Sequence, residues 1–119
     1  MGSLFKTLVM AAATLTLTTG LSCIEPSVHA QEVAVTVQIS VKNHHFQPTE
    51  IHASANKPII LRIKNLDATP MEFESVTLRV EKIVAGNSEG IIRLRALAPG
   101  RYDFFDDFHP ESRGTLVAQ

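Results

Sequence analysis

The chain has 119 residues, 45% of them hydrophobic, with no tryptophan and a formal net charge of −1. That is enough for one core, and too evenly charged for a nucleic-acid surface, which would show a basic patch. No G-x-G-x-x-G and no P-loop occurs, so nucleotide-dependent chemistry has no support.

Residues 1–30 read as a secretory signal. Lys6 supplies the positive start, residues 7–21 form an apolar stretch rich in Ala and Thr, and Pro26 breaks it. Val28-His29-Ala30 offers the small residues that a signal peptidase reads, so the mature chain is expected to begin near Gln31, in the periplasm. Cys23 follows Gly20-Leu21-Ser22, which faintly resembles a lipoprotein site. The leucine stands two rather than three residues ahead, so ordinary cleavage is favoured over lipidation. Cys23 is the only cysteine, and cleavage after Ala30 leaves neither disulfide nor thiolate.

Residues 31–119 are expected to form one domain. Val33, Val35, Val37, Ile39 and Val41 alternate with Ala34, Thr36, Gln38 and Ser40, a clear period of two. Phe46 and Pro48 lead to a short strand at 50–54, and Asn56 suits the turn at 55–58. A strand is expected over 59–64, a polar connection over 65–70, and another strand with Val76, Leu78 and Val80 on one face. Residues 86–90 read as a glycine-bounded loop, and Ile92, Leu94 and Ala96 as inward positions of the next strand. Tyr102, just after the Pro99-Gly100 turn, suits a tyrosine corner. About seven to eight short strands without a helical period give an all-β Greek-key sandwich.

The stretch PGRYDFFDDFHPESRG at 99–114 gathers Asp106, Asp107 and His109 on one turn between two strands. It resembles the ligand loop of the cupredoxins, whose amicyanin-like members read Y-x-Y-x-C-x-x-H-P-x-M-R-G. The resemblance puts Asp106 at the copper cysteine, keeps His109 as the histidine, and replaces the methionine by Ser112. The segment 65–74, ending in Glu74, is similar to the upstream cupredoxin loop and puts Glu74 at a ligand position. Four further elements, F-x-P-x-E-I at 46–51, D-A-T-P-x-E-F-E-S at 67–75, V-E-K-I-V-x-G at 80–86 and Phe108-His109, resemble the EfeO-type and FtrB-type cupredoxin-like proteins. That likeness implies a periplasmic component of ferrous-iron uptake. Its partners would be a membrane iron permease or a periplasmic iron-binding protein. Met71 departs from that pattern where a glutamate is frequent, and Asp106 where a glycine is common.

A blue-copper centre needs a thiolate beside two imidazoles, and the mature chain has none. The ligand set expected is Glu74, His109 and Asp106 or Asp107, with His44 as a further candidate. Such oxygen and imidazole donors suit copper(II), iron(II), manganese(II) or zinc(II), with copper favoured on raw affinity. Each residue has a plainer reading beside this one. Asp106 and Asp107 equally suit solvated loop positions, and His109 a satisfied loop histidine. His45 and His52 read as surface residues, and Met71 as packing. Two functions follow: a metal-binding or redox protein handling copper or iron and assisting ferrous-iron oxidation, or a metal-free module that docks a partner.

Overall fold

The structure is a computed structural model that describes residues 11–14, 20–24 and 33–119. The expected signal segment and its cleavage site fall largely outside the described residues. Among those residues no helix is long and apolar enough to cross a membrane.

Nine strands form among the described residues: β1 Val35–Lys42, β2 His45–Gln47, β3 Glu50–Ala53, β4 Ile59–Asn65, β5 Met71–Ser75, β6 Val80–Val84, β7 Ser88–Leu94, β8 Gly100–Asp106 and β9 His109–Ala118. They make one sheet in the order β2-β1-β4-β7 and a second in the order β3-β9-β8-β5-β6. The pairs β1–β4 and β3–β9 are parallel, and the other pairs are antiparallel. This is the two-sheet sandwich that the alternation implies.

Alternation explains the packing strand by strand. β4 places Ile59, Leu61, Ile63 and Asn65 inside and turns Arg62 and Lys64 to solvent. β5 does the same with Met71, Phe73 and Ser75 inside. The middle of the core is aromatic. Phe104 meets Phe46 edge-on and stacks on Phe73, both with ring centroids 4.9 Å apart. Such pairs add about 0.5–1.5 kcal/mol each beyond area burial. Tyr102 forms the expected corner, its hydroxyl donating to the Ala98 carbonyl at 2.8 Å.

Two expectations about the middle of the chain need correction. The strand expected through Val76, Leu78 and Val80 is two strands joined by a turn. Ser75 causes the break: its Oγ donates to the Asp103 carbonyl at 2.6 Å and accepts the Leu78 N–H at 3.2 Å. Arg79 then takes φ 55°, Leu78 is buried, and Val76 is left 76% exposed. The loop expected over 86–90 is shorter. Asn87, at φ 53°, makes the turn with Gly86, and Gly90 already pairs with Ile63 inside β7. A Cβ on Gly90 would stand 2.6 Å from Val84, so this glycine serves close strand packing rather than a turn.

Candidate metal centre

The candidate centre lies at one end of the sandwich, where the β1–β2 turn, the loop after β4 and the β8–β9 turn meet. Asn43 and His44 form the two-residue link between β1 and β2, both with positive φ (51° and 62°), as a type I′ hairpin needs. Positive φ is uncommon for a non-glycine residue, even though asparagine and histidine are enriched there, and a surrounding contact commonly holds it. Here Asp67 imposes it. Its carboxylate accepts the Asn43 N–H at 2.7 Å and the His44 N–H at 2.9 Å. The His44 N–H is the main reason why the Asp67 carboxyl lies below the usual carboxylate range.

Asp67 is itself held by Asn65, which is 1% exposed. The Asn65 side-chain oxygen accepts the Asp67 N–H at 3.1 Å. Its Nδ2 donates to the carbonyls of Thr69, Val84 and Ala85, at 2.8, 3.2 and 3.2 Å. One buried amide therefore ties the loop after β4 to the end of β6.

On the other side, Asp106 closes β8 with no exposed surface. One oxygen accepts the backbone N–H groups of Glu72 and Phe108, at 3.0 and 3.1 Å, and the other lies 3.3 Å from His109 Nδ1. At His44 the contact is looser: Nδ1 is 3.6 Å from Asp67 Oδ2, an ion-pair distance rather than a hydrogen bond. The two imidazoles stack face to face, centroids 3.7 Å apart and planes 19° apart. At His109 the carboxylate at Nδ1 gives the pattern by which proteins orient a histidine so that Nε2 is offered outward, whereas at His44 the carboxylate only lies nearby. Two Nε2 ligands on one ion at about 2.0–2.1 Å each stand no more than about 4 Å apart. The rings lie 3.7 Å apart face to face, so one of them must turn for both in-plane Nε2 lone pairs to meet a single ion.

The structure thus brings together His44, Asp106 and His109 and adds Asp67. It does not bring Glu74 or Asp107 to them. Glu74 sits on β5 between inward Phe73 and Ser75, so its side chain is on the outer face of the second sheet. There Glu72, Glu74 and Asp107 present carboxylate oxygens within 4.8 Å of one another, with Glu81 paired opposite Glu74. Partial desolvation first, then the neighbouring carboxylates, pushes the Glu72 and Glu74 carboxyls above their usual range.

His45 is exposed, and His52 pairs with Glu50 on the surface, Nε2 to Oε1 at 3.0 Å. Met71 is 2% exposed and part of the core. Ser112 is also 2% exposed, and its Oγ has no hydrogen-bond partner among the described residues. Sequence reasoning missed Asp67 and Asn65. The signal for both was the run Asn65-Leu66-Asp67, where an Asn and an Asp two apart form side-chain turns.

Fold and site together define a cupredoxin-like sandwich whose ligand end carries histidines and carboxylates instead of a thiolate. The chain belongs to the cupredoxin-like domain family, which it matches over residues 7–118. It is 41% identical over 76 residues to an uncharacterised protein of Rickettsia prowazekii, a stretch spanning 64% of this chain and 61% of that protein's length. Among solved structures, auracyanin A of Chloroflexus aurantiacus, described as a "blue" copper protein, is similar with TM-score 0.61. It is 18% identical, over 73% of this chain and 100% of that one. The metal-binding domain of the Streptococcus pneumoniae Cu(I)-exporting P-type ATPase CopA, solved with Cu(I), also gives TM-score 0.61. It is 14% identical, over 71% and 84% of the two chains. At these identities the likeness establishes the fold.

The residues at the ligand end do not fit the blue-copper group. That group needs a thiolate, and residues 33–119 contain no cysteine. They do fit a non-blue copper(II) ion, which takes imidazole and oxygen donors.

Proposed function

We propose that this protein is an exported copper-binding member of the cupredoxin-like family that holds the ion at a non-blue site through Nε2 of His44 and His109. The observation that carries this reading is the stacked imidazole pair, with one carboxylate 3.3 Å from His109 Nδ1 and another 3.6 Å from His44 Nδ1. In this reading Asp106 and Asp67 orient the ligands rather than bind, because the Asp106 oxygens already serve two backbone N–H groups and a ring nitrogen. Water completes the coordination. Copper bound there would supply a one-electron couple.

The resemblance to ferrous-iron uptake proteins extends the proposal. The protein acts in the periplasm, after cleavage near Gln31, and assists oxidation or uptake of ferrous iron beside a membrane iron permease or an iron-binding protein. Intact mass of exported material fixes the cleavage site, and an acylated Cys23 would refute that part.

Titration with Cu(II), followed by electron paramagnetic resonance, tests the site. The expected spectrum shows coupling to two imidazole nitrogens and no intense blue band, since that band requires a copper–thiolate bond. His44→Ala and His109→Ala should each weaken binding strongly, and the double variant should cost less than the sum because the two share one ion. Wild-type affinity in both single variants would leave a metal-free docking module as the better reading.

A further inference from the structure

The outer edge of β1 is the least defended edge of the sandwich. β2 covers only Ser40, Val41 and Lys42, so among the described residues nothing pairs with the other side of residues 35–39. The backbone direction there is fixed by two bonds. The Val35 N–H donates to the Pro58 carbonyl at 2.9 Å, and the Val41 carbonyl accepts the Leu66 N–H at 2.8 Å, so odd-numbered residues point toward β4. Thr36 and Gln38 therefore aim their N–H and C=O groups outward.

Other edges carry deterrents. β2 is only three residues long and runs into Pro48, β3 has Glu50 and His52, β6 has Glu81 and Lys82, and β7 has Glu89 and Arg93. Charge on an edge strand opposes pairing with another chain. Residues 33–39, Val-Ala-Val-Thr-Val-Gln-Ile, have neither charge nor proline. Val33 is 85% exposed, and Val35 and Val37 are only half-buried. Val35 and Val37 line an open groove of about 510 Å³ beside Thr36, Gln38, His52 and Gln119.

We propose that this protein forms a twofold-symmetric dimer in which β1 of one copy pairs antiparallel with β1 of another over residues 35–39, joining the two four-stranded sheets edge to edge. The register follows from the free groups. A twofold axis at Val37 sets Thr36 opposite Gln38 of the second copy, so both outward-pointing residues bond across the interface and both polar side chains meet. β2 occupies the edge from Ser40 onward and so limits the pairing to five residues. A second copy suits this edge because an uncharged strand meets no repulsion from its own image, and each copy's Val35 and Val37 cover the other's. The inference is independent of any metal.

Analytical ultracentrifugation of the purified protein, its N-terminus fixed by intact mass, tests this. Wild type should show a concentration-dependent dimer. Thr36→Lys with Gln38→Lys sets two like-charged pairs across the axis and should weaken dimerisation roughly tenfold or more. Thr36→Glu with Gln38→Glu should do the same, and mixing the two double variants should restore a heterodimer. Thr36→Pro removes an outward N–H and no internal bond, so it should also give monomer while remaining folded. Wild type that stays monomeric from about 1 μM to about 1 mM would overturn the proposal. So would a dimer that survives both double variants.

Discussion

At the residue scale, the centre depends on which atoms each carboxylate is free to use. Asp106 is wholly buried and its oxygens are already engaged, so it fixes the plane and tautomer of His109. Asp106→Asn keeps the shape but removes the charge and should weaken copper binding about 10–100-fold, the usual effect of losing a carboxylate that orients a metal-binding histidine. A competition titration against a copper chelator measures it. Glu74 gives the contrasting case. Its carboxyl is raised above the ordinary value by partial desolvation and then by Asp107. A raised acid favours the folded state below its unfolded pKa, and that contribution is lost as pH rises through the folded value. Glu74→Gln should therefore raise the urea midpoint at pH 7, with a gain that shrinks as pH falls through the raised folded value and is gone below the unfolded value at about pH 4.3. It should leave copper affinity unchanged, which separates the outer acid group from the histidine pair.

At the element scale, small polar side chains decide where strands stop. Val76, Leu78 and Val80 alternate as a strand would, yet Ser75 draws the chain into a turn by bonding the Asp103 carbonyl and the Leu78 N–H. Ser75→Ala leaves both backbone groups without that partner and should cost roughly 1–3 kcal/mol, read from urea unfolding. Tyr102→Phe removes one bond, to the half-open corner at Ala98, and should cost about 1 kcal/mol in the same assay. The corner was legible in advance because Pro99-Gly100 announces a turn and the tyrosine follows it. The Ser75 turn was not, because its partner lies on β8, which the local sequence cannot show.

At the scale of the whole molecule, the two sheets meet through Phe46, Phe73 and Phe104, one from the first sheet and two from the second. Phe104 also faces Gly114 across the β8–β9 pair, where an added Cβ would lie 2.4 Å from its ring. Phe104→Ala should cost about 3–5 kcal/mol, a large share of the roughly 5–15 kcal/mol that holds a domain of this size together. Calorimetry would show it as a pronounced fall in Tm. Gly114→Ala should destabilise as well, because the phenyl ring cannot move aside within a close-packed core.

The amino-acid sequence by itself determined the sandwich class, most strand positions and the absence of cysteine from the stretch that forms the strands. Each follows from local properties: period-two alternation, turn residues and the position of Cys23 ahead of the first strand. It also singled out His44, Asp106 and His109 as candidates. Tertiary structure decided how they are grouped. The parity of β5 sends Glu74 outward while Phe73 points in, so a carboxylate close to His109 in the expected ligand set lies on the other face of its sheet. Asp67 gains its role only because a positive-φ turn 23 and 24 residues away brings the His44 and Asn43 N–H groups to it. Strand alternation is written locally, whereas the meeting of loops from three separate strand ends depends on how the sheets stack, which no single stretch of sequence contains.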